Sequence, residues 1–363
     1  MSKKILIIIN NLGVGGAERL VVNDINEMLR MGTSVELITL KSESKKSLAA
    51  QLHLEQDKFH CILFKHFFDI SSWVKLVRSI KAFEPDLVIT QLWFANTIGR
   101  IARMLAGAKT IISFEQIVSD SVKTRKMIFV DWWLQFITTK TIAVSKAVKK
   151  SLIKHSIAEE RIDVLYNSID LRAFQTPYHG SEVRVEYGID EHAFLYIYIG
   201  RLVHQKAVDI LIEAFKKIDT RAYLLIVGQG KDRNTLEHEV KKSSLEKRVI
   251  FAGVRSDIPR LLLSSDCFVL PSRYEGLPLV LIEALAAGSA IIVSDFEGAR
   301  EVITHEKNGL VVPIGDIVAL TQAMTRIKDD SELRSSLVFE SKKSAERFSI
   351  SHHVHTILRY INI

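Results

Sequence analysis

The sequence predicts an α/β protein made of two doubly wound units, each a parallel sheet covered by helices on both faces. Three observations lead there. Short apolar runs alternate with longer stretches of helical periodicity, as expected of strands buried on both faces and joined by crossover helices. The alternation pauses once, at Thr176-Pro177-Tyr178-His179-Gly180, and then repeats. The length of 363 residues suits two domains of ordinary size.

In chain order, the first half predicts strands at 4–10, 34–40, 61–64, 87–90, 110–114, 141–144 and 163–166. The join falls within 170–180, where a Pro-Tyr-His-Gly stretch reads as a linker. Strands follow at 194–199, 223–227, 248–251, 267–270, 290–293 and 310–312, and the last segment, 349–363, has helical character. The expected division is a first domain over 1–172, a second over 173–345 and a terminal helix over 346–363. There is no low-complexity tract and no short-period repeat.

Apolar content of 47% is ample for packed cores, and no apolar run reaches the length of a membrane span. The opening apolar stretch, Ile5 to Ile9, is too short for a signal peptide and reads as a buried first strand. Cys61 and Cys267 both lie in strand-like runs and are expected to pack as small hydrophobes rather than to form a disulfide or a metal site. These features point to the cytoplasm. Residues 1–175 hold 25 Lys/Arg and 17 Asp/Glu, a balance of +8, whereas residues 176–363 hold 24 and 25, a balance of −1. A basic first half beside a neutral second half favours an anionic partner for the first domain: a phospholipid surface, a lipid diphosphate or nucleic acid.

The most informative segment is Pro271-Ser-Arg-Tyr-Glu-Gly-Leu-Pro-Leu-Val-Leu-Ile-Glu-Ala-Leu-Ala-Ala-Gly288. Pro278 suits the first position of a helix, where a missing N–H costs nothing, and Gly288 suits its end. The helix predicted between them, 279–287, would point free N–H groups near 276–280, and the positive end of its dipole, at an anion. Glu275 and Glu283, with seven residues between them, are acceptors for hydroxyl pairs. Glu283 stands among Leu281, Ile282, Ala284 and Leu285, where a charge is seldom kept without a partner. Hydroxyls at two ends and phosphates between describe a nucleotide sugar.

This segment resembles the Glu-x7-Glu signature of the retaining glycosyltransferases of family 4, which have the GT-B fold, two Rossmann-like domains facing across a cleft. The likeness spans nearly the whole chain and is strongest over 196–312. It implies that Glu275 contacts the donor sugar and Glu283 the ribose, and that a terminal helix returns to the first domain. In Tyr196-Ile-Tyr-Ile-Gly-Arg-Leu-Val-His-Gln-Lys-Ala207, Gly200 ends a strand, Arg201 follows at its carboxyl end and Lys206 stands where the next helix starts. The family's Arg and Lys at these places stabilise a departing diphosphate; its usual Gly after the Lys is Ala207 here. Asn10-Asn-Leu-Gly-Val-Gly-Gly-Ala-Glu18 resembles the family's Gly-Gly-x-Glu element, so Gly15 and Gly16 are placed at the donor diphosphate or the acceptor. A dinucleotide fingerprint would need glycine at position 18, and a P-loop would need Gly-Lys-Ser/Thr; neither is present.

The resemblance thus implies donor contacts from Gly15, Gly16, Gly200, Arg201, Lys206, Ser272, Glu275, Gly276, Leu277 and Glu283. Catalytic duty falls to Glu275, Arg201, Lys206 and Glu115, the last in the strand-closing Ile112-Ser-Phe-Glu-Gln116. Thr90-Gln91 replaces a frequent His-containing element and is assigned no role. No Asp-x-Asp pair occurs, so catalysis without a metal or other cofactor is expected, and His352-His353 reads as surface or packing rather than zinc ligation. Residues 121–137 set Lys123, Arg125 and Lys126 before Met127, Ile128, Phe129, Trp132, Trp133 and Phe136, which suits an interfacial helix or a lipid-acceptor groove as well as an ordinary core-packing helix. The expected activity is transfer of a sugar, with retention, from a nucleotide sugar (UDP by family habit) to a glycan or lipid-linked saccharide in surface polysaccharide or lipopolysaccharide assembly. It would take place in the cytoplasm, with peripheral contact to an anionic membrane and no nucleic acid. A nucleotide-sugar epimerase of the same fold and a nucleic-acid-binding protein are the alternatives.

Overall fold

The computed structural model describes residues 2–43, 47–118, 123–175 and 180–362. The linker positions 176–179 and the start of the basic-aromatic segment, 121–122, lie outside them. The chain divides into two compact units, one of residues 1–169 with 348–363, the other of residues 170–347.

The first unit carries strands β1 (Lys4–Ile9), β2 (Ser34–Thr39), β3 (Phe59–Cys61), β4 (Leu87–Gln91), β5 (Ile111–Glu115), β6 (Lys140–Ala143) and β7 (Ile162–Val164). Their order in the sheet is β3-β2-β1-β4-β5-β6-β7, all parallel. Helices α1 (Gly16–Arg30), α2 (Ile70–Phe83), α3 (Trp93–Ala106), α4 (Arg125–Leu134) and α5 (Lys146–Lys154) make the crossovers. The second unit has α6 (Gly180–Glu186), β8 (Phe194–Ile199), α7 (Val208–Phe215), β9 (Ala222–Val227), α8 (Arg233–Lys242), β10 (Val249–Gly253), α9 (Ile258–Leu263), β11 (Cys267–Leu270), α10 (Leu279–Ala287), β12 (Ala290–Ser294), β13 (Leu310–Val312), α11 (Ile317–Asp329) and α12 (Ser331–Ala345). Its sheet runs β10-β9-β8-β11-β12-β13, again parallel. Both units are Rossmann-like, and the strand order reverses beside β1 and β4 in one and beside β8 and β11 in the other. Such a reversal opens a crevice at the strands' carboxyl ends.

Continuous apolar runs become strands because both faces are buried: β1, β4, β5, β8 and β12 expose almost nothing beyond their first residue. Tyr196 and Tyr198 are fully buried on β8 with their hydroxyls donated to Met324 O at 2.8 Å and Arg201 O at 3.0 Å. Helix α13 (Ile350–Arg359) belongs to the first unit and packs on α1. There the buried His353 sets Nδ1 2.9 Å from Tyr166 O and Nε2 3.6 Å from Asp24 Oδ1, while Tyr360 donates to Asp163 at 2.9 Å. Burial pushes the Asp24 carboxyl above its ordinary value, and His353 offsets only part of that.

Three local expectations are corrected. The third strand is 59–61, not 61–64. It is an edge strand paired with β2 only as far as Thr39, and the apolar Ile62 and Phe64 continue beyond it into the core. Cys61 is therefore exposed at the sheet edge rather than packed, whereas Cys267 on β11 is buried. Pro278 precedes the first turn of α10 with extended ψ of 124° and serves as its cap, not as its first helical residue.

Candidate functional site

In the second unit, the strand order makes neighbours of two loops far apart in sequence. Strands β8 and β11 are hydrogen-bonded side by side, so the residues after each emerge together at the carboxyl edge. After β8 come Gly200, Arg201 and a single 3-10 turn, His204–Lys206, closed by Ala207. After β11 come Ser272, Arg273, Tyr274, Glu275, Gly276 and Leu277, then α10.

Lys206 is 8% exposed and its ammonium makes an ion pair with Glu275 Oε1, the only partner of Nζ among the described residues. The same carboxylate accepts from Ser272 Oγ at 2.9 Å and, through Oε2, from Gln205 Nε2 at 3.4 Å. Arg201 is exposed; its Nη2 donates to Gln205 Oε1 at 3.1 Å. Arg273 completes the joint: its guanidinium donates to His204 O and pairs with Asp209 at 2.8 Å. Gly276 and Leu277 are buried at the start of α10, and Glu283 is buried at 7% exposure one turn inside it. The loops touch backbone to backbone: a Cβ at Gly298 would lie 1.9 Å from Gly276 O, and one at Gly228 would lie 1.9 Å from Gly200 O.

In the first unit, Gly15 caps α1 in an extended conformation and Gly16 begins the helix. Glu18 folds back over this start, its Oε2 2.2 Å from where a Cβ on residue 15 would stand. Glu115 ends β5 and is buried, its carboxylate engaged on both oxygens by Asn96 Nδ2 at 3.2 Å and Lys123 Nζ at 2.7 Å. Lys123 also binds Asp131 at 2.7 Å, and Asp131 binds Arg100 at 2.7 Å, a buried chain of alternating charges. Burial pushes the Lys123 ammonium down, and the Glu115 and Asp131 carboxylates together overcome it, holding its pKa above the ordinary lysine value. Leu92, Trp93, Phe114, Glu115 and Met127 line a small cavity beside this chain, of about 70 Å³. Leu92 itself has φ of +72°, rare for a branched side chain.

The structure thus brings Arg201, Lys206, Ser272, Glu275 and Gly276 into one constellation and sets Gly15, Gly16 and Glu115 in the other unit. Sequence reasoning missed Gln205, Arg273, Gly228 and Gly298. The first two read as ordinary polar residues; the glycines carried a signal, since each follows shortly after a buried strand.

The chain as a whole is similar to known proteins. The family described as Glycosyltransferase Family 4 matches residues 14–173, and Glycosyl transferases group 1 matches residues 181–344. The chain is 30% identical over 278 residues, 73% of its own length and 72% of the relative's, to the UDP-Gal:alpha-D-GlcNAc-diphosphoundecaprenol alpha-1,3-galactosyltransferase of Escherichia coli. The chain belongs to the family 4 glycosyltransferases. A second member, N-acetylgalactosamine-N,N'-diacetylbacillosaminyl-diphospho-undecaprenol 4-alpha-N-acetylgalactosaminyltransferase of Campylobacter jejuni, is 27% identical to this glycosyltransferase over 99% of both chains. The fold is shared with Anabaena HepE, whose crystal structure holds UDP and glucose, at a TM-score of 0.90 and 21% identity over 99% of both chains.

Proposed function

We propose that this glycosyltransferase transfers a sugar with retention, and without a metal, from a UDP-sugar to a lipid-linked saccharide. The reading rests on one observation above the rest: Lys206, Glu275, Ser272 and Gln205 form one hydrogen-bonded joint at the β8–β11 switch point, with the exposed Arg201 at its rim. The Escherichia coli relative is named for a UDP-sugar donor, and both curated relatives are named for undecaprenol-diphosphate acceptors, which supports the substrate classes.

In this reading, Arg201 and Lys206 take up the charge that grows on the departing diphosphate, the preorganised electrostatic stabilisation that contributes most in such chemistry. Glu275 accepts from hydroxyls of the transferred sugar, and Glu283 from the ribose. The bond from the anomeric carbon to the phosphate oxygen breaks as the acceptor oxygen bonds to the same face of that carbon. The acceptor's proton passes to the leaving phosphate oxygen, so stereochemistry is kept. Metal independence is supported by the two cations and by the lack of an Asp-x-Asp pair in the sequence.

Peripheral contact with the cytoplasmic face of an anionic membrane is part of the same proposal. Among the described residues no helix is long and apolar enough to cross a membrane. Helix α4 and the turn after it expose Phe129, Trp133 and Phe136 at 61%, 57% and 57%, beside exposed Arg125 and Lys126. Aromatics flanked by cations suit a lipid interface.

The test is a screen of UDP-sugars for released UDP with undecaprenol-diphosphate saccharides present, with and without EDTA, followed by proton NMR of the new anomeric centre. Retention and EDTA-insensitive turnover are expected, together with severe losses in Arg201→Ala, Lys206→Ala and Glu275→Ala. Unchanged turnover in all three variants overturns the site assignment; inversion at the anomeric carbon overturns the mechanism.

A further inference from the structure

Gln205 takes no chemical step in that scheme, yet it holds the joint together. Its Oε1 accepts from Arg201 Nη2 at 3.1 Å, its Nε2 donates to Tyr274 O at 2.9 Å and to Glu275 Oε2 at 3.4 Å, and its backbone carbonyl accepts from Arg273 N at 2.8 Å. One uncharged side chain thereby links the guanidinium of Arg201 to the carboxylate of Glu275. The backbone beneath Arg201 is pinned from below by the Tyr198 hydroxyl, whose pKa burial pushes well above its ordinary value. The Arg201 side chain itself is exposed, and no carboxylate pairs with it among the described residues.

The geometry points to Gln205 as a positioning residue that parks Arg201 on a neutral acceptor, ready for the donor diphosphate; the inference rests on the donor-site reading above. A guanidinium meeting a carboxylate gains ionic attraction and a bidentate fork that a single amide oxygen cannot offer it. A carboxylate at 205 would trap Arg201 in an ion pair and stand as a second negative charge beside Glu275. A neutral amide gives the guanidinium up at little cost while fixing its direction, and guanidinium fork geometry rewards that preorganisation. The amide also has both ends occupied: a carboxylate lacks the N–H that Tyr274 O and Glu275 accept from.

The experiment titrates the full chain with UDP by calorimetry, for wild type, Gln205→Glu, Gln205→Leu, Arg201→Ala and Lys206→Ala, between pH 5 and 8, and measures kcat and donor KM for each. Gln205→Glu nearly preserves size; it should weaken UDP binding about tenfold or more at pH 7.5, and the deficit relative to wild type should shrink toward pH 5 as the new carboxylate begins to protonate. Gln205→Leu should keep UDP affinity within about threefold and lower kcat, because Arg201 is then free but unaimed. A purely structural role predicts similar losses in both variants with no pH-dependent recovery, and that result overturns the inference. If Arg201→Ala and Lys206→Ala bind UDP like wild type, the donor-site reading itself fails; if they bind poorly while Gln205→Glu binds normally, only the role of Gln205 fails.

Discussion

Ala207 carries φ of +51° and ψ of 38°, the left-handed region, at a position that is fully buried. An alanine there gives up about 1–2 kcal/mol. Glycine would recover this, but would lose roughly 0.4–1 kcal/mol to the entropy of the unfolded chain and about 0.8 kcal/mol of methyl burial. The terms nearly cancel, so Ala207→Gly should change stability by less than about 0.5 kcal/mol in urea unfolding. Ala207→Val, which adds branched volume to a strained and filled place, should cost about 2 kcal/mol or more. The Lys206–Glu275 pair next to it behaves asymmetrically. Glu275 keeps hydrogen bonds from Ser272 and Gln205 when Lys206 is lost, whereas Lys206 keeps no partner among the described residues when Glu275 is lost. Glu275→Leu should therefore destabilise by about 3 kcal/mol and Lys206→Met by less, with the double variant more stable than Glu275→Leu alone. The same denaturation series measures all three, and equal single-variant costs would count against the pairing. The residue types at this site were legible from their order along the chain, but the pairing was not. Lys206 and Glu275 meet only because β8 lies beside β11, and sheet order is a long-range property that local pattern does not encode. Gln205 was silent because nothing in an amide's neighbours in sequence reveals what it spans in space.

Elements were more legible than contacts. Six of the seven strands of one sheet and all six of the other correspond to apolar runs, since burial on both faces leaves no room for polar alternation. The exception, β3, shows the limit: an edge strand needs no apolar face, so the apolar 61–64 run marked the core beside the strand rather than the strand. Charged joints between elements left no pattern either. Arg255 and Arg260 hold Glu186 of α6 and Asp257 at the start of α9 in one cluster, with Arg255 bonded to Asp257 at 2.8 Å. Hydrogen bonds, that from Arg255 foremost, hold the Asp257 carboxyl well below its ordinary value of 3.8. A depressed carboxylate contributes stability that is complete above the unfolded pKa and is lost as pH falls through the folded one. The melting temperature of Asp257→Asn should accordingly lie below wild type by a constant margin from pH 5 to 8, and the margin should close progressively below about pH 4. A margin that persists unchanged at pH 2.5 would show that the cluster acts by packing alone.

At the scale of the whole molecule, the asymmetry of charge is the feature with most to say about location. The +8 balance of residues 1–175 and the −1 balance of residues 176–363 mean that attraction to an anionic surface belongs to the first half. Charge alone gives weak, salt-sensitive adhesion, worth about 1 kcal/mol for each cation near the surface. The exposed Phe129, Trp133 and Phe136 would add a term that salt does not screen, because burying aromatic surface in an interface is hydrophobic. Their ring-to-ring contacts, such as Trp132 with Trp133 at 5.2 Å, gather the aromatic side chains of α4 and the turn after it into one patch. The two terms separate experimentally by sedimentation with vesicles of phosphatidylglycerol and phosphatidylcholine. Wild type should bind the anionic vesicles, lose most of that binding between about 0.1 and 0.5 M salt as the Debye length shrinks, and retain a residue of affinity at high salt. Phe129→Ser with Trp133→Ser should abolish the residue while keeping the salt dependence, and Arg125→Gln with Lys126→Gln should flatten the salt dependence while keeping the residue. Binding that is equal for neutral and anionic vesicles, or unaltered in both double variants, would place the lipid contact elsewhere on the chain.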